Sequence, residues 1–412
     1  MIQIPESKSL IPQCIPFAEG QKIYTFRASA TDLLRIDLLH ESGSAYQLQK
    51  LCAAAANNLY TAATKTLDAA QVAEFLDYRG IVVQHDIDIF QCTTSFYLLR
   101  RHLDELLPLL YDFLNAPRFA AEDFDIYIRR RKQEIQAAQM KTADVAHRLF
   151  YNTLFGDNHP LGSYARPEDA DLLTVDAVSS FFAERYGRMN MVLSGNVDDE
   201  AIHAVSSLFG KGEGHNILPD MSSCGFDRTG LVCKNVPGAA QTTLRVGRVI
   251  PLKWNDPDYA RFVLLTAMLG GYFGSRLMGN IREEHGYTYG IYAHTRICRG
   301  VIVFFITTDV ASDTCVAAEE EIKHELQRLC DTPADENELE LVKKVVVGDF
   351  IRSVDGVFER AERFGSMLST GVDETFTDNL RTAIKETTAD QLHVLAQRLL
   401  NPDSMLYCRV SP

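Results

Sequence analysis

The 412-residue sequence lacks any apolar run long enough to span a membrane. Its N-terminal segment has no basic head followed by an apolar core, so no signal peptide is predicted. The nine cysteines are odd in number and include no Cys-x-x-Cys pair, which argues against a disulfide framework and a cysteine zinc site. These absences predict a soluble chain with free thiols, with no membrane partner and a cytoplasmic location.

An excess of positive charge is also absent. Lys and Arg number 41 against 55 Asp and Glu, which gives a formal net charge of -14. Nucleic-acid binding depends on clustered Lys and Arg, so no nucleic-acid partner is predicted. Peptide ligands that carry positive charge are compatible with this balance.

Most local motifs of hydrolases and nucleotide-binding enzymes are missing as well. No two of the eleven histidines lie three to five residues apart, so neither His-Glu-x-x-His nor His-x-x-Glu-His occurs. Gly-x-Ser-x-Gly is absent, and the glycine-rich GGYFGSR (270–276) lacks the spacing of a dinucleotide or phosphate loop. The chain therefore offers no local signature for a metal site, a serine nucleophile or a bound nucleotide.

The sequence does contain one structural plan that occurs twice. DLLRIDLLHESG (32–43) is a strand-like segment, and QTTLRVGRVIPL (241–252) has the same character in the second half. A capped helix followed by a strand begins at Thr174 and again at Thr388, each threonine being the predicted N-cap. Alternating apolar runs and helices grouped between strands predict an α+β fold with mostly antiparallel sheets.

The composition between the two copies predicts a linker. Residues 210–230 are rich in Gly, Ser, Asp and Pro and show no hydrophobic periodicity. We therefore predict two homologous α+β domains, 1–210 and 229–412, joined by a linker at 211–228. Each domain is expected to contain a mostly antiparallel β-sheet packed with α-helices.

Residues suited to chemistry are densest in GYFGSRLMGNIREEHGYTYG (271–290). A helix is predicted to end near Gly286, where glycine permits a positive φ, and a strand is predicted to follow. Arg282 would then lie on the last helical turn and Tyr289 early on the strand. A guanidinium and a phenol so placed suit a peptide carbonyl or a developing oxyanion. A surface Arg–Glu bridge and a core tyrosine are the alternative.

The same segment resembles the C-terminal domain signature of pitrilysin/insulinase-type zinc peptidases, the group that contains mitochondrial processing peptidase. The family pattern is close to S-S-R-L-x-x-x-I-R-E-x-x-G-x-x-Y. The matching positions in this sequence are Ser275, Arg276, Leu277, Ile281, Arg282, Glu283, Gly286 and Tyr289. The first half is similar too, in segment 158–198 with its His-Pro-Leu-Gly, Asn-Met and Gly-Asn-Val-Asp elements.

The resemblance implies a zinc motif on a helix of the first half, here the segment 50–66. The motif's His, Glu and His fall, within one residue or so, on Ala55, Asn58 and Leu59, which offer neither imidazole nor carboxylate. Glu134 matches the distal glutamate ligand, and a solvent-facing helical glutamate is its alternative. The resemblance thus implies a degenerate site and a chain without a cofactor of its own.

By this resemblance, the chain is expected to be a non-catalytic, substrate-binding subunit of a heterodimeric zinc metallopeptidase. Its partner would be a zinc-bearing pitrilysin-like subunit, and its substrate a peptide or an unfolded polypeptide. In such pairs the zinc-free chain contributes the Arg and Tyr that hold the substrate, here Arg282 and Tyr289. A homodimer is an option for the isolated chain. The alternatives are a structural or peptide-binding protein without a role in proteolysis, and an active peptidase with a displaced metal site.

Overall fold

Two β-sheets form the framework of the protein. The computed structural model describes residues 4–18, 20–208, 221 and 228–412. Within these residues the first sheet contains β1 (Gln13–Ala18), β2 (Gln21–Arg27), β3 (Leu33–His40), β4 (Val82–Ile87), β5 (Cys92–Leu99) and β6 (Met189–Gly195). The second contains β7 (Gly230–Asn235), β8 (Thr242–Ile250), β9 (Thr288–Cys298), β10 (Val301–Val310) and β11 (Leu406–Ser411).

Helices pack against both sheets. Those of the first half are α1 (Cys52–Leu59), α2 (Ala69–Arg79), α3 (Leu103–Asn115), α4 (Ala121–Gln139), α5 (Thr142–Phe155), α6 (Pro167–Leu172), α7 (Val175–Arg185) and α8 (Asp199–Ser207). Those of the second half are α9 (Pro257–Gly270), a π-helix (Met278–Glu284), α10 (Cys315–Asp331), α11 (Glu336–Arg352), α12 (Val357–Thr370), α13 (Thr375–Glu386) and α14 (Ala389–Leu399). None of the helices in the described part of the chain has the length and apolar character needed to cross a bilayer.

The second sheet repeats the topology of five strands of the first, which has β1 as an additional edge strand. The first has the strand order β1-β2-β6-β3-β5-β4, and the second has the order β7-β11-β8-β10-β9. In each sheet one pair is parallel, β2 with β6 and β7 with β11, and the remaining pairs are antiparallel. The predicted α+β class with mostly antiparallel sheets is therefore confirmed.

One helix from each half packs against the sheet of the other half. On the first sheet, Ala361 of α12 packs with Leu39 and Val192 of the strands. On the second sheet, Val145 of α5 packs with Val410 of β11. Both faces of the central strands β3 and β8 are therefore covered, which explains why these strands are buried along most of their length.

The two predicted helix caps are confirmed by the structure. Thr174 and Thr388 cap α7 and α14, because each hydroxyl accepts a hydrogen bond from the backbone three residues later. The predicted linker falls almost entirely on 211–220 and 222–227, which lie outside the described residues. The domain boundaries at 210 and 229 stay predictions.

Candidate functional site

The signature segment 275–289 runs from the turn after α9 into β9, and most of its side chains are fixed inside the protein. Leu277 and Ile281 are fully buried in the core of the second half. Arg276 donates two hydrogen bonds of 2.8 Å to the carboxylate of Glu338 on α11, and these bonds raise the pKa of its guanidinium. Such a two-bond pair fixes both position and orientation, so Arg276 serves the fold.

Asn280 anchors the π-helix that carries Arg282. Its amide nitrogen donates to Glu321 at 3.1 Å and to Glu325 at 2.8 Å, and both glutamates belong to α10. Glu325 is fully buried and also accepts a hydrogen bond of 2.6 Å from Arg328. A buried polar network of this kind holds two helices in one relative position. Arg282 is therefore presented from a rigid support.

The π-helix ends at Glu284, two residues before a glycine. Gly286 has a φ of 67°, a left-handed conformation that favours glycine. Its N–H donates to the carbonyl of Arg282 at 3.2 Å, and the N–H of Tyr287 donates to the carbonyl of Ile281 at 3.0 Å. Strand β9 then begins at Thr288. The predicted order of helix, glycine and strand is confirmed. The helix is of the π type, which is rare in proteins and, where it occurs, is often part of a functional site.

Arg282 differs from Arg276 because no carboxylate locks its side chain. Its Nε lies 3.5 Å from Oε1 of Glu283, the one carboxylate contact found for it among the described residues. Its guanidinium carbon lies 4.6 Å from the centroid of the Phe273 ring, which is within cation–π range. The side chain is 33% exposed. The guanidinium of Arg282 is thus partly exposed, and no carboxylate among the described residues accepts a hydrogen bond from it.

Tyr289 projects from the open edge of the second sheet. It is the second residue of β9, which pairs with β10 along one side and is the last strand of that sheet. The residue is 92% exposed, and no hydrogen bond joins its hydroxyl to another described residue. An exposed phenol is able to donate to a carbonyl oxygen. The joint action of Arg282 and Tyr289 on one peptide stays a prediction.

The turn between α9 and the π-helix is tight because its glycines allow close backbone approach. A Cβ added to Gly270 would lie 2.6 Å from the backbone nitrogen of Ala293 in β9. A Cβ added to Gly271 would lie 2.6 Å from the Cα of Ala267. No side chain fits at these distances without displacing the backbone. The turn therefore packs directly against the strand that carries Tyr289.

Helix α1 provides no zinc ligand at the predicted positions. The helix predicted over 50–66 is shorter and ends at Leu59. Ala55 and Leu59 belong to the buried core of the first half. Asn58 is half-buried and donates to the carbonyl of Ala54 in the same helix at 2.9 Å. Two alkyl side chains and an amide do not fit the imidazole and carboxylate ligands that zinc prefers.

Asn57, next to these positions, is a residue that sequence reasoning missed. Its side chain is buried, and its nitrogen donates to the carbonyl oxygens of Asp86 at 2.9 Å and Thr93 at 3.3 Å. Its oxygen accepts from the hydroxyls of Thr94 at 3.2 Å and Tyr186 at 3.1 Å. These bonds tie α1 to β4, to β5 and to the end of α7. The only signal in the sequence is an asparagine within an alanine-rich helix.

The imidazole of His40 lies beside the C-terminal end of α1, and the described residues around it form no metal site. The ring of His40 in β3 lies 4.3 Å from the ring of Tyr186 and 6.1 Å from that of Tyr60. Burial lowers the pKa of His40 to about 3, so the imidazole is neutral at neutral pH. Across the described ranges, no group of three or more His, Cys, Asp or Glu residues is arranged to hold a metal ion.

Glu134, the predicted match to the distal ligand, pairs with arginines of its own helix. Its carboxylate lies 2.9 Å from Arg131 and 3.5 Å from Arg130 in α4. The side chain is 47% exposed. Surface pairs of this kind contribute little to stability. The geometry is that of a solvent-facing helical glutamate, the alternative that the sequence left open.

Comparisons with known proteins place this site in a family context. The family model described as "Peptidase M16 inactive domain" matches residues 172–346, a range that includes Arg282 and Tyr289. The chain is 25% identical over 360 residues to an uncharacterized zinc protease of Rickettsia felis, and the match covers 84% of each protein. It is 22% identical over 346 residues to the Helicobacter pylori protein named non-peptidase homolog YmxG, with 80% of this chain and 77% of that protein covered.

Solved structures share the fold over nearly the whole chain. A crystal structure described as a peptidase M16 inactive domain from Pseudomonas fluorescens superposes with a TM-score of 0.84 at 19% identity, covering 97% of this chain and 98% of that one. A protease from Helicobacter pylori superposes with a TM-score of 0.86 at 16% identity, covering 98% and 100%. At such identities the likeness concerns the fold.

Proposed function

Because the chain belongs to the pitrilysin-type (M16) peptidase family in a form that lacks the zinc motif, we propose that it is the non-catalytic, substrate-binding subunit of a heterodimeric zinc peptidase. The partner in this proposal is a zinc-bearing chain of the same family. The ligand is a peptide or an unfolded segment of polypeptide.

One observation carries the proposal: Arg282 and Tyr289 are the signature residues whose side chains have hydrogen-bond donors and remain exposed. Arg276 is engaged with Glu338, whereas Arg282 keeps its in-plane donors and Tyr289 is exposed on an edge strand. A binding role explains why these two side chains are not drawn into the internal network that fixes their neighbours.

The chemistry follows from the donors. Arg282 would give charge-assisted hydrogen bonds to a peptide carbonyl, and Tyr289 would give a second donor. Two such donors orient the scissile peptide and stabilise negative charge that develops on its oxygen. Ala55, Asn58 and Leu59 offer zinc no ligand, so the proposal routes no step through a metal at that position. Zinc in the partner would supply the activated water.

Hydrolysis of fluorescein-labelled casein tests the proposal. The purified chain is assayed alone, and then mixed with a zinc-bearing relative from the same organism, each with and without a zinc chelator. We expect no chelator-sensitive hydrolysis by this chain alone. The mixture should hydrolyse casein faster than the zinc-bearing relative does by itself. Zinc-dependent hydrolysis by this chain alone would refute the proposal. A relative whose activity is unchanged by the chain would favour a structural role.

A further inference from the structure

We propose that Phe273 is a positioning residue, which holds the Arg282 guanidinium in the orientation that binds peptide. The inference rests on the proposed function and extends it to a residue outside the family signature positions. Phe273 lies in the turn between α9 and the π-helix and is 62% exposed. The guanidinium carbon of Arg282 lies over its ring, 4.6 Å from the ring centroid.

The turn gives Phe273 a fixed base. The preceding Tyr272 packs against the core of the second half, and its carbonyl accepts a hydrogen bond of 3.1 Å from the N–H of Ser275. Arg276 follows, held by its two bonds to Glu338. These contacts fix the backbone on both sides of Phe273. The exposed ring therefore has a fixed position over which the Arg282 guanidinium lies.

Stacking suits a binding arginine better than an ion pair does. The guanidinium carbon lies over the face of the ring, and an aromatic face attracts the cation without accepting the directed N–H bonds that a carboxylate takes. A two-bond carboxylate pair, as at Arg276, would occupy those same N–H groups. Glu283 is a weak competitor, because its carboxylate is 3.5 Å away and 53% exposed. Phe273 therefore orders Arg282 without consuming its donors.

Ordering matters because a free arginine side chain has many rotamers. A peptide that binds a mobile Arg282 must also restrict that side chain, and the restriction lowers the affinity. The stack limits those rotamers before the peptide arrives. Loss of an exposed cation–π contact is expected to weaken peptide binding by roughly two- to fivefold.

A double-mutant cycle with matched variants tests the inference. Phe273→Leu keeps an apolar side chain without an aromatic face, whereas Phe273→Trp keeps the face. Binding of fluorescein-labelled casein to the full chain is measured by anisotropy, in the wild-type and Arg282→Ala backgrounds. We expect the leucine variant to bind roughly two- to fivefold more weakly and the tryptophan variant to bind like wild type. In the Arg282→Ala background, Phe273→Leu should change nothing further.

Two outcomes contradict the positioning role. Phe273→Leu binding like wild type would mean that the stack has no effect. An equal loss in the Arg282→Ala background would mean that the ring touches the peptide itself. Failure of the proposed function looks different, because wild type and Arg282→Ala would then bind casein equally or not at all.

An NMR measurement keeps the inference testable in that case. Side-chain protons of Arg282 should show an upfield ring-current shift that disappears in Phe273→Leu and persists in Phe273→Trp. Absence of this shift in the wild-type protein would overturn the inference whatever the casein result. Thermal unfolding should be unchanged in both variants, since the ring is mostly exposed.

Discussion

At the scale of single residues, Arg276 and Arg282 show how surroundings decide the use of one residue type. Arg276 meets Glu338 through two short hydrogen bonds and becomes part of the fold. Arg282 meets the face of Phe273 and keeps its donors. The difference lies in the partner, a carboxylate in one case and an aromatic ring in the other. Only the second arrangement leaves a cation able to receive a peptide.

Asn57 and Asn58 make a similar contrast on α1. Asn57 is buried and joins the helix to two strands and to Tyr186, whereas Asn58 bonds only to its own helix. We expect Asn57→Ala to lower the free energy of unfolding by about 2–4 kcal/mol, because buried donors and carbonyls lose their partner. Urea unfolding at neutral pH measures the loss.

Asn58→Ala is the matched control. It removes one local bond at a half-buried position and replaces asparagine with a better helix former, so a change within about 0.5 kcal/mol is expected. Equal losses from the two variants would show that the buried network of Asn57 does not hold α1 in place.

At the scale of elements, local patterns predicted the junction that carries the candidate site. Gly286 marks the end of a helix and the alternation in YTYGIYAHTR marks a strand, because both signals depend on backbone conformation and side-chain period. Placing Arg282 on the last helical turn and Tyr289 early in β9 needed only those signals. The cap at Thr174 was predictable from the sequence for the same reason.

Other features depend on contacts between distant segments and were not predictable. Arg282 contacts Phe273, and Asn280 bonds to Glu325. The spacing of hydrophobic residues along the sequence does not predict either contact. The π-helix has the composition of an ordinary helix. Helix α1 ends earlier than predicted: after Leu59 the chain enters a turn, in which the N–H of Ala62 donates to the carbonyl of Leu59 at 3.1 Å.

At the scale of the whole molecule, the two halves differ in the partners of a buried arginine on the central strand. Arg35 in β3 bonds to Asp37 at 2.7 Å and to Glu362 of α12 at 2.7 Å. Arg245 holds the corresponding place in β8, but Gly247 stands where Asp37 would be. The Arg245 guanidinium lies 4.0 Å from the centre of the Phe305 ring, and its Nε has no hydrogen-bond partner in the described structure.

This asymmetry predicts different costs for one substitution. Arg35→Met is expected to lower the free energy of unfolding by about 3–5 kcal/mol, because the buried Asp37 loses its cation. Arg245→Met is expected to cost less than about 2 kcal/mol, because it leaves no carboxylate unpaired and removes a cation whose pKa burial lowers. Urea unfolding of the two variants provides the comparison.

The pH dependence separates this explanation from a general packing defect. Burial raises the pKa of Asp37, and Arg35 opposes that rise. Without Arg35 the folded-state pKa should rise further above the unfolded value, so Arg35→Met should lose less stability relative to wild type as the pH falls and Asp37 takes up a proton. A loss that is independent of pH, or equal in the two variants, would contradict the assigned roles.

The central claim is that Arg282 and Tyr289 hold a peptide for a zinc-bearing partner. The most direct measurement is kcat/KM for labelled casein in the mixture with that partner, for Arg282→Ala, Tyr289→Phe and the exposed-surface control Arg129→Ala. We expect Arg282→Ala to lower kcat/KM by about 10- to 100-fold through the loss of charge-assisted hydrogen bonds, and Tyr289→Phe to lower it less. The control should match wild type, and gel filtration should show the same complex for all variants. Wild-type kcat/KM in Arg282→Ala and Tyr289→Phe would contradict the claim.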